Sequence, residues 1–238
     1  MPYYYDFDWT YIVLVLPCLI LSLWASSSVN STFKRYSNQY AMRGITGADA
    51  AQRVLAHNGV RGVRIERISG NLTDHFDPKT NVIRLSDSVY NSTSTAAIGV
   101  ACHEAGHAVQ YATHYAPIKL RAAIIPITNF GSKLAMPLIL LGVVFSMLGY
   151  LSYTLIYLGI LCFALSLVFQ LVTLPVEFNA SRRAIRAIDD AGILTKQELI
   201  GAKKTLKAAA MTYVAATAVA LAQLLRLMVL FGGRRRRD

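Results

Sequence analysis

Apolar and polar positions fall into long blocks along this chain. Tyr11–Ala25 (YIVLVLPCLILSLWA) is apolar and uncharged. Trp9, Tyr11 and Trp24 supply aromatic anchors at its ends, so the run predicts a first transmembrane helix. A signal peptide is the alternative, but the preceding MPYYYDFD has acids and no Lys or Arg. Leu134–Tyr150 and Tyr153–Leu174 are two further apolar runs separated by Leu151 and Ser152, which predicts a hairpin of two spans turning there. A weaker Ala-rich run from Ala208 to Phe231, interrupted by Arg226, predicts a fourth span. Arg226 lies near the end of that run, where its side chain can snorkel.

The stretch 26–133 is polar and mixed. Thr46-Gly-Ala-Asp49 reads as an N-cap with an acid three residues on, and Asn58-Gly59 closes the short helix it opens. Val63–Ile68 alternates as a half-buried strand should. Asp77–Asn81 is a turn, and Val82–Leu85 a second strand, either a sheet edge against which an extended peptide could pair or an ordinary strand of the sheet. Asn91–Thr95 offers N-caps for a helix from Ala96 to about Tyr111. After Pro175 the polar segment Val176–Asp190 has helical spacing, and Gly192 closes it. Thr195-Lys-Gln-Glu198 is a capping box for the final helix. The expected organisation is therefore 1–25 membrane helix, 26–133 catalytic domain, 134–175 transmembrane hairpin, 176–207 two further helices of the catalytic domain, and 208–238 a membrane helix with a basic tail. The fold class is an α+β membrane protein, mostly helical, with about four transmembrane helices.

Composition agrees with a membrane protein. Of 238 residues, 54% are hydrophobic, against roughly 45–50% in soluble domains. The net charge of +11 would suit nucleic acid, but the basic residues flank the apolar runs and no nucleic-acid motif is present, so the bilayer is the expected partner and nucleic acid is excluded. Cys18, Cys102 and Cys162 are too widely spaced for a disulfide framework. Cys102 is read as a small buried residue rather than a reactive thiol.

The chemistry lies in ACHEAGHAVQY, residues 101–111. His103 and His107, four apart, project from one helix face and can converge on one zinc ion. Glu104 beside them can act as general base towards a water. Gly106 in mid-helix costs about 1 kcal/mol against Ala, which implies a packing or functional reason. A third ligand is required. His57, His75, His114, Asp87, Glu177, Asp189, Asp190 and Glu198 are the candidates. Two spans return the chain to the side it left, so 176–207 shares a compartment with the His-Glu-x-x-His helix. Glu177, just past the third apolar run, is best placed. Ser181, one turn on, could bond to a ligand. His75 is a candidate for stabilising the oxyanion of a tetrahedral intermediate, with an ordinary surface or turn histidine as the alternative.

HEAGHAVQ followed by LPVEFNASRRA, with LTDHFDP and NVIRLSD upstream, resembles the YugP-like family of membrane zinc metallopeptidases. The resemblance runs from about Gly44 to the final helix. It implies a zincin-like catalytic domain with a gluzincin-type site: His103, His107 and Glu177 as zinc ligands and Glu104 as catalytic base. Related membrane peptidases, the HtpX-like and CAAX prenyl proteases, carry Glu-x-x-x-Asp on the third-ligand helix. Here the pattern reads Glu177-Phe-Asn-Ala-Ser181.

The function expected is a membrane-embedded zinc endopeptidase acting on protein or peptide substrates. A zinc-binding membrane adaptor or sensor would keep the ligands and tolerate loss of Glu104. A transporter with a chance motif would carry ionisable residues within its spans. Lys34, Arg35, Lys119, Arg121, Lys133 and the arginines after Glu177 flank the runs on the catalytic side, which places that side in the cytoplasm of a multi-pass cell-membrane protein. The Arg234–Arg237 tail opposes this assignment if the last helix spans.

Overall fold

The computed structural model describes residues 8–145 and 149–232. Asp6 and the arginine tail lie outside them. The chain is mostly helical with one small sheet, and it divides into two compact units.

The first unit comprises Met1–Trp24, Arg121–Thr173 and Tyr213–Asp238. Four helices of the chain are long and apolar enough to cross a membrane: Tyr11–Ser37, Ala116–Val144, Tyr150–Asp190 and Lys196–Gly232. The first opens with a π-helical turn, Tyr11–Val15, before α1, Leu16–Ser37. Pro17 explains it: proline has no N–H to give to the carbonyl four residues back and crowds that carbonyl, so the turn widens.

Helix α5 of the hairpin, Ala116–Val144, begins well before Leu134 and contains Pro126 and Pro137. Its start was masked in the sequence by Lys119, Arg121 and Lys133. The turn also differs from expectation. Leu151 and Ser152 lie in the first turn of α6, Tyr150–Asp190, and Gly149 precedes it with φ +56°. An apolar turn gives no hydropathy signal, so the break was read too late. The two helices approach on glycine. A Cβ on Gly142 would lie 2.9 Å from the Ser152 carbonyl oxygen, and one on Gly159 would lie 2.8 Å from that of Ala135. Small residues let backbones close in this way where lipid offers no hydrophobic drive. The Ser152 hydroxyl donates to the Gly142 carbonyl at 2.7 Å.

Arg226 has partners within the chain. Its Nε donates to Asp8 at 2.9 Å, Nη2 also meets Asp8, and the guanidinium lies 5.3 Å from the Tyr11 ring centroid. A half-buried cation takes a carboxylate and an aromatic face when they are within reach.

The second unit comprises Ala25–Leu120 and Leu174–Thr212. Helix α2, Gly47–His57, starts with a complete capping box: Thr46 Oγ1 accepts from Asp49 N–H at 3.1 Å and Asp49 accepts from Thr46 N–H at 3.2 Å. Three strands follow, β1 Arg64–Ile68, β2 His75–Asp77 and β3 Val82–Ser86. The sheet order is β1-β3-β2, with β1 parallel and β2 antiparallel to β3. So Val82–Leu85 is the central strand, not an edge. Val82, Ile83, Leu85 and Ser86 are all buried, the near-continuous burial of a strand paired on both sides. Helices α3, Asp87–Tyr90, and α4, Thr95–Ala112, come next; the Ser94 hydroxyl caps α4 by accepting from Ala97 N–H at 3.2 Å.

Helix α6 runs unbroken through Pro175, so the expected separate helix over Val176–Asp190 is the continuation of the apolar run. A single proline is tolerated where neighbours re-satisfy the freed carbonyl. Gly192, at φ +59°, ends the segment, and α7, Lys196–Gly232, starts at Thr195. The core gathers Val54 and Leu55 of α2, Ile83 and Leu85 of β3, Ile98 of α4 and Ile188 of α6.

Candidate metal centre

Helix α4 carries His103 and His107 on one face, and α6 crosses it at Gly106. A Cβ on Gly106 would lie 2.7 Å from the Ala180 carbonyl oxygen. Glycine here is the condition for that approach. Ala180 sits between Glu177 and Ser181, so the crossing delivers both to the histidines.

His103 Nε2 lies 3.2 Å and His107 Nε2 3.5 Å from the same Glu177 oxygen, Oε2. The two rings are nearly perpendicular, with centroids 4.7 Å apart. One ligand atom from each of His103, His107 and Glu177 falls within 4.8 Å of the others. Glu177 is 3% exposed, Glu104 8% and His107 9%.

The opposite ring nitrogens are held. Gln110 Nε2 donates to the Val176 carbonyl at 2.8 Å and to Asn179 Oδ1 at 3.0 Å. Those acceptors fix the amide, so Gln110 Oε1 faces His107 Nδ1 at 3.0 Å and must accept its proton. That leaves a lone pair on His107 Nε2. Ser181 Oγ lies 3.1 Å from His103 Nδ1 and can accept in the same sense. Ser181, four residues after Glu177, thus touches the His103 ring. Gln110 was missed from sequence. The signal was a buried amide three residues after His107 in an apolar helix.

Electrostatics favour a cation. Burial opposes ionisation of Glu177, but the His103 and His107 rings against its carboxylate outweigh burial and hold the carboxyl well below the usual range. Burial likewise opposes a charged His107, and Glu177 with Glu104 overcomes it, raising the ring's affinity for a proton. Two imidazoles with Nε2 turned to one point and a buried carboxylate form a donor set suited to zinc. Among the described residues Glu104 makes no hydrogen bond or ion pair. Burial pushes Asp74 upward, and the Glu104 charge adds to it against hydrogen bonds from Ser86. Asp74 therefore stands near Glu104, a neighbour the sequence did not single out.

The other candidate ligands have different surroundings. Asp87 pairs with Arg67 at 2.6 Å, Asp189 with Lys196 at 2.6 Å, and Glu198 caps α7. His114 is exposed with φ +53°. His75 is not brought to the cluster. On β2, Phe76 turns to Tyr111 of α4, centroids 5.6 Å apart, so His75 faces the other way. It is exposed and its Nδ1–H donates to the Thr73 carbonyl at 2.9 Å. Cys102 is fully buried and burial pushes its thiol far up, as fits a packing role.

Residues 11–232 match the family described as "Putative neutral zinc metallopeptidase". The chain is 47% identical over 221 residues to the "Putative membrane protease YugP" of Bacillus subtilis (strain 168), covering 93% of this chain and 96% of that relative. No solved structure matches it. The metal this family implies is zinc, and the His103, His107 and Glu177 donor set fits it. With nearly its whole length matched by the family model and by that relative, the chain belongs to this neutral zinc metallopeptidase family.

Proposed function

We propose that the protein is a membrane-bound zinc endopeptidase with His103, His107 and Glu177 as ligands and Glu104 as general base. The observation that carries this is the convergence of both Nε2 atoms on Glu177 Oε2, beside a buried carboxylate with no hydrogen bond of its own. Zinc bound there supplies Lewis acidity to a scissile carbonyl and to the attacking water. Glu104 takes the proton from that water and returns it to the leaving amine. Gln110 and Ser181 keep the two rings oriented with Nε2 toward the centre. Zinc affinity is thereby separated from proton transfer: the first rests on five side chains, the second on Glu104.

The expected pairing strand passes from β3 to β2. β2 is an edge of the sheet and lies against α4 through Phe76 and Tyr111, which supports an extended peptide adding alongside it. The placement of His75 lends the oxyanion role no support. The basic flanks favour a cytoplasmic catalytic side, with α7 as a fourth span. A reporter fused after Asp238 should then read outside the cytoplasm; a cytoplasmic signal would sink the four-span topology.

Glu104→Gln tests the mechanism. Zinc should stay at about one per chain while cleavage of a peptide or unfolded-protein substrate falls by about 10²–10⁴-fold. A variant that still cleaves at the wild-type rate removes Glu104 from the chemistry.

A further inference from the structure

The second unit carries a groove of about 480 Å³ between the later part of α6 and the first part of α7. Its apolar lining includes Phe178, Ile185, Leu206 and Met211. Four cations also line it, Arg182 and Arg186 from α6 and Lys203 and Lys207 from α7. Each pair is spaced i, i+4, where like charges repel and destabilise a helix. The acid in the groove, Asp189, is already taken by Lys196 at 2.6 and 2.8 Å. Arg182 and Arg186 also line a second cavity, of about 290 Å³, with Arg183, His57 and the acid Asp190. Among the described residues neither Arg182 nor Arg186 forms an ion pair. Two like-charge pairs thus face one apolar groove without compensation from the chain.

The sequence on each side says what could compensate. Phe178 comes four residues after Leu174, the end of an apolar run, a rise of about 6 Å along a helix. Met211 lies inside the apolar run that starts at Ala208. Both walls therefore change from apolar to cationic at the groove. A ligand with a phosphate and a hydrocarbon tail matches that order, and basic pockets between helices near a membrane bind anionic head groups.

We propose that this groove is a binding site for an anionic phospholipid. Arg182, Arg186, Lys203 and Lys207 hold the phosphate, and Phe178, Ile185, Leu206 and Met211 receive the start of an acyl chain. Ser181, which touches His103, also lines the groove, but the four cations and four apolar side chains proposed to bind the lipid include none of the metal-centre residues, so binding needs neither zinc nor cleavage and its test stands apart from that of the peptidase function.

The test uses the full chain, delipidated in neutral detergent, with phosphatidylglycerol or phosphatidylcholine added back and bound lipid counted by native mass spectrometry. Wild type should prefer phosphatidylglycerol by about tenfold, and R182Q/R186Q and K203Q/K207Q should each lose most of that preference. R182K/R186K should retain it, and K34Q/R35Q, removing two exposed cations of α1, should leave it intact. Inorganic phosphate at millimolar concentration should not displace the lipid. Undiminished preference in K203Q/K207Q overturns the site, and that arm decides even if R182Q/R186Q fails to fold. Equal loss in K34Q/R35Q shows general charge attraction instead. Displacement by phosphate alone shows a small-anion site without a lipid.

Discussion

Two pairs of helices in this protein come together on glycine, and their surroundings differ. In the first unit α5 and α6 close at Gly142 and Gly159. Around them are apolar side chains, with one polar contact from Ser152. In the second unit α4 and α6 close at Gly106. Around it stand Glu177, Ser181, His103 and His107. The backbone approach is equally close in both, 2.7 Å at Gly106 and 2.8 Å at Gly159 for an added Cβ. One closeness serves packing and can yield by small shifts. The other sets the positions of the side chains proposed to hold the metal, where a displacement of one ångström would matter.

The sharpest way to break that comparison is to add the methyl group. Gly106→Ala should push the 177–181 segment from α4, drop zinc well below one per chain, and lower cleavage by about 10²-fold or more, since misplacement of about 1 Å costs that much. Gly159→Ala should cost about 1–3 kcal/mol of stability by overpacking while zinc stays bound. Zinc by mass spectrometry and thermal unfolding of both variants decide it. Full zinc in Gly106→Ala would show that the metal cluster tolerates the shift.

The same contrast explains what was legible in the sequence. Apolar runs announced the membrane helices, because hydropathy needs no partner to be read. Their limits were not announced: Pro175 reads as a boundary yet sits within α6, and the turn before Tyr150 is apolar. His103, Glu104 and His107 were legible from local spacing on one helix. Glu177 followed from topology and from resemblance. Gln110 and Asp74 were not legible, since their meaning depends on what a distant element presents: Val176 and Asn179 to the first, Glu104 to the second. The central place of Val82–Leu85 was hidden for the same reason. Alternation marks a strand, but only pairing on both sides distinguishes centre from edge. His75 shows the converse, a histidine near the motif in sequence that strand alternation turns away.

Removing the groups that hold the rings should have intermediate effects. Gln110→Ala should weaken zinc binding by about 10–100-fold, measured by competition with a chelator, because it releases His107 Nδ1. Ser181→Ala should lie at the low end of that range, since its hydroxyl makes one contact and Gln110 makes three. Ser152→Ala in the hairpin should cost about 0.6 kcal/mol, with zinc unchanged. Zinc loss in Ser152→Ala would erase the distinction between the two crossings.

The smallest expected effect concerns a group in the second unit away from its glycine crossing. Glu198 accepts from Thr195 N–H at 2.8 Å and from Met42 N–H at 2.7 Å, capping α7 and fastening the chain after α1. Burial disfavours its charge, but those hydrogen bonds prevail and lower its pKa in the folded state. A carboxylate with a lowered folded pKa stabilises the fold above its unfolded pKa of about 4.3, and that contribution fades as pH falls through the folded value. Glu198→Gln should therefore be less stable than wild type by about 1 kcal/mol at pH 7, with the difference shrinking below pH 4. Thermal unfolding of both proteins in one detergent across that range measures it. Zinc at pH 7 should be unaffected, because the hydrogen bonds of Glu198 go to Met42 and Thr195, away from the histidines and the 177–181 segment. A loss of zinc at neutral pH would mean that the metal centre depends on the whole second unit and not on the α4–α6 crossing alone.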